Sequence, residues 1–328
     1  MFSERMERLT PYVPGEQPRD RKYLKLNTNE NPYPPSLQIE EFFKNFDIER
    51  LRLYPDPMFN DLREKIAERY EVKKGHVFVS NGSDEALSFS FYAFFDSRKG
   101  KLLFPEFTYS FYPTYCSFYG IEYEKIPLGH NFSVDIDGFL EKRGSCGVIF
   151  PNPNAPTGIC LPIEKVIYLL ENYPQDRAVI IDEAYIDFGG ESAVRLIDEH
   201  KNLLIMRTFS KSMSLAGLRL GFAIGDKTLI DALFTVKDSF NSYPVDMLAQ
   251  TIGEIAATDE TYYRSITERI ISTRDYLTSE LKKLGWNVLP SKANFVFAEK
   301  KGVPGAEIYL KLKERGILVR YFDIEGIK

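Results

Sequence analysis

An α/β fold, with a mostly parallel sheet covered by helices on both faces and a smaller α+β domain beside it, is predicted by three features of this sequence. Short runs at HVFVS, KLLF, CGVIF, AVIID, NLLIMR and LGFAI recur through residues 76–224 and are apolar nearly throughout rather than alternating, as strands buried on both faces must be. Helical or loop segments separate these runs, the layering of βα repeats. Beyond Asp231 the order changes to two long helical patterns, 226–257 and 259–284, then strands around 286–289 and 294–298, a helix near 306–315 and a strand ILVRYF. A large domain over 27–245 and a small domain made of 1–26 and 246–328 are expected.

Taken in order, residues 11–35 hold six prolines and little apolar periodicity, so they read as an extended arm lying over something else, of the kind that reaches a partner subunit. Residues 60–70 place Leu62, Ile66 and Ala67 on one helical face, with Asp61 near the start, which suits the helix dipole. HVFVS runs into NGSDEALSFSFYAFF, a glycine turn followed by a buried helix. The chain contains no internal repeat or low-complexity segment.

Composition narrows the function. With 328 residues, 44% hydrophobic and 27% charged, the chain can bury about three quarters of its unfolded surface. A net charge of −5 argues against a nucleic-acid binder and for a small partner. Cys116, Cys146 and Cys160 form no C-x-x-C pair, which fits a reducing cytoplasm. His76, His130 and His200 lack metal-ligand spacing, so no metal site is expected. The first eight residues mix acids and bases, and no stretch stays apolar long enough to span a bilayer, so neither a signal peptide nor a membrane segment is expected.

Ligands of open parallel sheets sit at the carboxyl ends of the strands, and four such ends carry polar groups. In VFVSNGSDEA the N–H groups of Ser83, Asp84 and Glu85 open a helix, which reads either as a phosphate cradle or as a plain helix cap. In AVIIDEAYIDF, Asp182 follows four apolar residues; a buried carboxylate needs a cation, and a protonated pyridine nitrogen would keep a ring cofactor electron-withdrawing. Tyr185 is placed to donate to that ring's 3-oxygen. No G-x-x-x-x-G-K-[ST] run exists, which removes a magnesium-binding, nucleotide-handling role for Asp182. In NLLIMRTFSKSMSLAGLRLGF, Lys211 lies just past a strand among Thr208, Ser210, Ser212 and Ser214, with Arg219 eight residues on. A desolvated lysine there can form a Schiff base and carry a proton, and the arginine can fork onto a phosphate. Alone, Lys211 reads as a surface charge; its coincidence with Asp182 decides otherwise. The last end, CGVIFPNPNAPTGI, bears Asn152 and Asn154 in a proline-rich loop, while Tyr109, after KLLF, is placed to stack on the ring or else to join the core.

Together LTPY (9–12), LNTNENPYPPS (26–36), RLYPDP (52–57), NGSDEAL (81–87), DEAYIDF (182–188) and RTFSKSMSLAGLRLGF (207–222) resemble the fold-type I pyridoxal-phosphate aminotransferases, and within them the histidinol-phosphate aminotransferase family. The resemblance spans nearly the whole chain. It implies a seven-stranded sheet, pyridoxal 5'-phosphate as cofactor and a cytoplasmic homodimer. By position it implies Lys211, Asp182 and Tyr185 as catalytic residues, Lys211 bonding the cofactor, Asp182 meeting its ring nitrogen and Tyr185 its 3-oxygen. Ser83, Asp84, Thr208, Ser210 and Arg219 would surround its phosphate and Tyr109 its ring. Tyr54 would reach the phosphate bound by the neighbouring subunit, with the N-terminal arm also crossing the interface. Tyr12 and Arg320 would hold the phosphate of the substrate. The implied reaction is amino transfer between L-histidinol phosphate and 2-oxoglutarate; threonine-phosphate decarboxylation, aromatic amino-acid transamination and a silent cofactor-binding regulator are the alternatives.

Two departures stand out. Where the family commonly has N-P-T-G this chain has Ala155-Pro156-Thr157-Gly158, so Tyr185 serves the 3-oxygen alone or Asn154 or Asn152 substitutes. The family also continues into a strand whose arginine grips the substrate carboxylate, whereas this sequence stops at Lys328; a missing tail is the favoured expectation, loss of ordinary amino-acid binding the other.

Overall fold

The computed structural model describes residues 2–7 and 9–328. Seven strands form the central sheet: β1 (Val77–Ser80), β2 (Leu102–Pro105), β3 (Tyr123–Ile126), β4 (Gly147–Pro151), β5 (Ala178–Asp182), β6 (Leu203–Thr208) and β7 (Gly221–Gly225). Their spatial order is β1-β7-β6-β5-β4-β2-β3, parallel throughout except for β7, which runs against both its neighbours. All but β3 are buried along their whole length, which explains the unbroken apolar runs. The edge strand β3, YEKI, is mostly solvated and charged, so no apolar run announces it.

The register sets the site. Pro151 pairs with Asp182 and Asp182 with Met206, while Gly221 pairs with both Thr208 and Ser80. The carboxyl ends of β1, β4, β5 and β6 therefore meet the start of β7 along one rim. Helix α1 (Asn60–Tyr70) buries Leu62, Ile66 and Ala67 as its spacing predicts, and α2 (Ser83–Phe94) buries Leu87, Phe89 and Phe91. Where β7 passes the start of α2 only glycine fits: a Cβ on Gly221 would stand 2.2 Å from the Ser83 nitrogen.

The C-terminal third differs from expectation in detail. The pattern over 226–257 is two helices, α3 (Lys227–Phe240) and α4 (Met247–Thr258). Pro244 lies in the break, and Asp246 caps α4 by accepting from the Ala249 N–H. Helix α5 (Glu260–Lys283) follows. The strands beyond it shrink to pairs of two residues: Asn287–Val288 runs antiparallel to Ala298–Glu299, and Ile317–Leu318 runs parallel to Leu24–Lys25 of the arm. The expected strand ILVRYF thus ends at Leu318 and leaves Arg320 beyond it. Strand propensity without a longer partner sustains no ladder.

Candidate active site

At the rim lies a cavity of about 380 Å³ whose wall includes Asp182, Lys211, Tyr185, Tyr109, Arg219 and Ser83. Asp182 ends β5 at 6% exposure and accepts the Ala184 N–H at 3.1 Å. Burial pushes its carboxyl up to about 7, against the pull of that N–H, and the acids Asp84 and Glu183 push in the same direction as burial. Among the described residues no cation pairs with it, and a nearby positive charge would favour its ionised form.

Opposite it, α2 opens at Ser83 after Gly82, whose φ of 77° no side chain adopts easily. Arg219 lies over that turn in the left-handed region, φ 54°, and its Nη2 stands 3.3 Å from Asp84 Oδ2. The other Asp84 oxygen accepts the Tyr109 hydroxyl at 2.9 Å. Thr208 and Ser210 complete this end, with Thr208 Oγ1 accepting the Ser210 N–H at 3.1 Å. Free helix N–H groups, two hydroxyls and a guanidinium form a donor set suited to a phosphate dianion.

Lys211 reaches back across the cavity: its Nζ donates to the Thr28 carbonyl at 3.0 Å and stands 5.6 Å from the centre of the Tyr185 ring. The Tyr185 oxygen accepts from Asn29 Nδ2 at 3.1 Å, which leaves its own proton to donate. Asn31 Nδ2 donates to the Lys211 and Ser212 carbonyls at 3.0 and 3.3 Å. Segment 28–31 of the arm therefore closes over this chain's own lysine. Behind the rim, Arg207 is fully buried between Glu183 at 3.2 Å and Asp187 at 2.5 Å, and donates to the Tyr70 hydroxyl at 2.8 Å. Asp187 in turn accepts the Ser212 hydroxyl, the neighbour of Lys211. Burial, helped by the nearby Asp187, pushes the Glu183 carboxyl up against the pull of Arg207 and of the Ser192 and Ala193 donors, whereas Asp187, facing Arg207 more closely, is held low.

Other expected residues lie elsewhere. The proline-rich loop meets the cavity through Pro151 and Ala155, not Asn154. Asn154 donates to the Phe107 carbonyl at 2.9 Å and to Thr157 Oγ1 at 3.2 Å, which uses both its protons, and Asn152 is bonded to both backbone groups of Leu161. Neither asparagine lines the cavity, and Asn154 has both protons spent within its own surroundings, so the expected Asn154 contact is corrected: loop closure consumes it. Both X-Pro bonds here, Asn152–Pro153 and Ala155–Pro156, are cis. Arg320 is exposed, with its guanidinium 5.6 Å from the Phe322 ring centre and its Nη1 beside Gly15, which also packs on Thr28 of the wall. Tyr12 packs on Phe111 at 5.0 Å, and Phe111 stacks on Tyr109. Tyr54 is 81% exposed and stacks on Tyr243 at 4.7 Å, outside this cavity. Sequence reasoning did not single out Gln17, Lys25, Thr28 or Glu30, which line the cavity; the polar string NTNEN was the signal for Thr28 and Glu30, and no comparable cue marks Gln17 or Lys25.

Residues 21–327 match the family model for aminotransferase class I and II. The chain belongs to that family and is a pyridoxal-phosphate-dependent transaminase of fold-type I. Among its relatives, histidinol-phosphate aminotransferase of Syntrophus aciditrophicus is 63% identical over 100% of this chain and 91% of its own length. That of Clostridium acetobutylicum is 50% identical over 99% and 92%. The structure of histidinol-phosphate aminotransferase from Sinorhizobium meliloti in complex with pyridoxal-5'-phosphate superposes with a TM-score of 0.83 at 22% identity, covering 94% of this chain and 85% of that one; at that identity the likeness concerns the fold. Among the described residues no helix is long and apolar enough to cross a membrane.

Proposed function

We propose that this enzyme moves an amino group between L-histidinol phosphate and 2-oxoglutarate, giving imidazole acetol phosphate and glutamate. The observation that carries the reading is the convergence of one buried carboxylate, one amine and one phosphate-type donor set on a single cavity; the 63% identical relative supports the choice of substrate. The residues fit pyridoxal phosphate. Asp182 offers the anion for its ring nitrogen, the α2 start with Thr208, Ser210 and Arg219 the cradle for its phosphate, Tyr109 a face, and Tyr185 a proton for its 3-oxygen. When bound, the cofactor supplies an electron-accepting ring that stabilises charge at the substrate's α-carbon.

This chain's residues do the rest. Asp182 keeps the ring nitrogen protonated. With the cofactor bound, Lys211 would be the base that takes the proton from the substrate's α-carbon and delivers it two atoms further along, to the carbon beyond the amino nitrogen; the Thr28 carbonyl gives its free amine a resting partner inside the cavity. Tyr12 and Arg320, on the arm side, hold the substrate phosphate once the arm has settled over it. The exposed apolar side chains Ile48, Leu51, Leu53 and Phe240 around Tyr54 support a homodimer in which Tyr54 serves the partner's cofactor. The division into a large domain over 27–245 and a small one, and a cytoplasmic location, belong to the same reading. Purified enzyme offered histidinol phosphate, phenylalanine and O-phosphothreonine in turn tests it: glutamate formed fastest from the first supports it, and carbon dioxide from the third without glutamate would overturn it.

A further inference from the structure

Two buried polar side chains that the proposed reaction does not use bond to the backbone beside Tyr54. Lys237, on α3, is 0% exposed, although a lysine is rarely buried without a reason. Its ammonium has three protons and three acceptors: the Pro57 carbonyl at 3.1 Å, the Ser242 carbonyl at 3.2 Å and Asp238 Oδ1 at 2.6 Å. Its charge also lies 5.5 Å and 5.8 Å from the ring centres of Phe59 and Phe234. Gln250, on α4, repeats the device one residue earlier on the first segment and three residues later on the second, donating to the Asp56 carbonyl at 3.1 Å and the Val245 carbonyl at 3.0 Å. Both side chains thus join the same two segments, 56–57 and 242–245. The first begins two residues after Tyr54 and the second contains Tyr243, and the two rings stack on one another at the surface.

We propose that Lys237 and Gln250 are positioning residues that hold the Tyr54–Tyr243 pair at a fixed height above the surface, so that Tyr54 meets the cofactor phosphate in a partner subunit. This rests on the reading that Tyr54 acts across the dimer. Neither buried side chain touches the cofactor; both act by fixing the carbonyls that precede and follow the two stacked rings. A non-polar side chain of similar length at 237 leaves two buried carbonyls without donors and the turn free to shift.

The test is titration of the cofactor-stripped dimer with pyridoxal phosphate, read by absorbance, for the parent, Tyr54→Phe, Lys237→Met, Gln250→Met and each buried variant combined with Tyr54→Phe. Loss of a charge-assisted contact predicts that Tyr54→Phe and Lys237→Met each raise the dissociation constant about tenfold. Because both act through one contact, the Lys237→Met/Tyr54→Phe double variant should exceed Tyr54→Phe by no more than about twofold. Multiplying effects would make Lys237 a general structural residue and overturn the proposal, as would an unchanged constant in Lys237→Met and Gln250→Met beside a raised one in Tyr54→Phe. An unchanged constant in Tyr54→Phe alone would instead refute the cross-subunit reading beneath it. Should Lys237→Met not fold, Gln250→Met carries the same non-additivity test.

Discussion

The two walls of the cavity are built differently. On the sheet side, Asp182 and Thr208 terminate buried strands, Ser83 and Lys211 follow shortly after β1 and β6, and Arg219 lies just before β7, so the sheet's hydrogen-bond register fixes their spacing. On the arm side, Lys25, Thr28 and Glu30 ride on coil or on a strand two residues long, as do Tyr12 and Arg320, which lie outside the cavity lining and which we propose as substrate contacts. A rigid frame suits a cofactor that stays; a wall of short contacts suits a substrate that must enter and leave with every turnover.

The most severe way to break the contrast is at the amine. Lys211→Ala is expected to lower turnover by on the order of 10⁴-fold, the upper range for a lost proton carrier, while the absorbance of covalently bound cofactor disappears and non-covalent cofactor remains. Retained turnover would end the assignment.

Next comes the frame behind the rim. Arg207→Met strands the buried Glu183 and leaves the half-buried Asp187 unpaired, and the cost expected in urea unfolding of the cofactor-free protein is about 3–5 kcal/mol. A loss below about 1 kcal/mol, the scale of an exposed pair, would mean that the network contributes little to the rigid side.

Asp182→Asn should cut kcat by about 10²–10³-fold, the scale of one removed electrostatic contact to a developing charge. Its stability effect has the opposite sign. Burial holds the Asp182 carboxyl near 7, above its ordinary 3.8, so between those values the folded chain keeps a proton that the unfolded chain releases. Stability then falls as pH rises through the window and stays reduced above it. Cofactor-free Asp182→Asn should be the more stable protein at pH 8, by up to about 4 kcal/mol, and indistinguishable from the parent near pH 3.5. Equal pH profiles for the two proteins would contradict the burial argument.

The smallest effect belongs to the coil side. Arg320→Ala is expected to raise the KM for the phosphorylated substrate about tenfold with kcat nearly unchanged, as removal of uniform binding does. A fall in kcat with KM constant would place Arg320 with the reacting atoms instead.

The same contrast decides what could be read from the chain. AVIID and NLLIMR advertise buried strands, and the polar residue ending or following each one is where the chemistry sits. The charged edge strand YEKI gave no such cue, and Pro244, visible in the sequence, was outweighed by the helical period on either side of it. Arg207, Glu183 and Asp187 were in plain view within the quoted motifs, but pairing across β5 and β6 is a property of register, not of spacing. Asn154 shows the converse: the right residue type near the right strand, with its protons already taken by Phe107 and Thr157.

Gly221 gives the donor cradle its dimensions. With the Ser83 nitrogen only 2.2 Å from where a methyl group would project, any larger residue must lever the start of α2 away from Arg219 and Thr208. On the proposed reading, in which this cradle holds the cofactor's phosphate, selection of the phosphorylated vitamin over the plain aldehyde depends on an interatomic gap that no side chain fills. A series of residues of increasing bulk at 221 should erode that selectivity step by step, even with every donor retained.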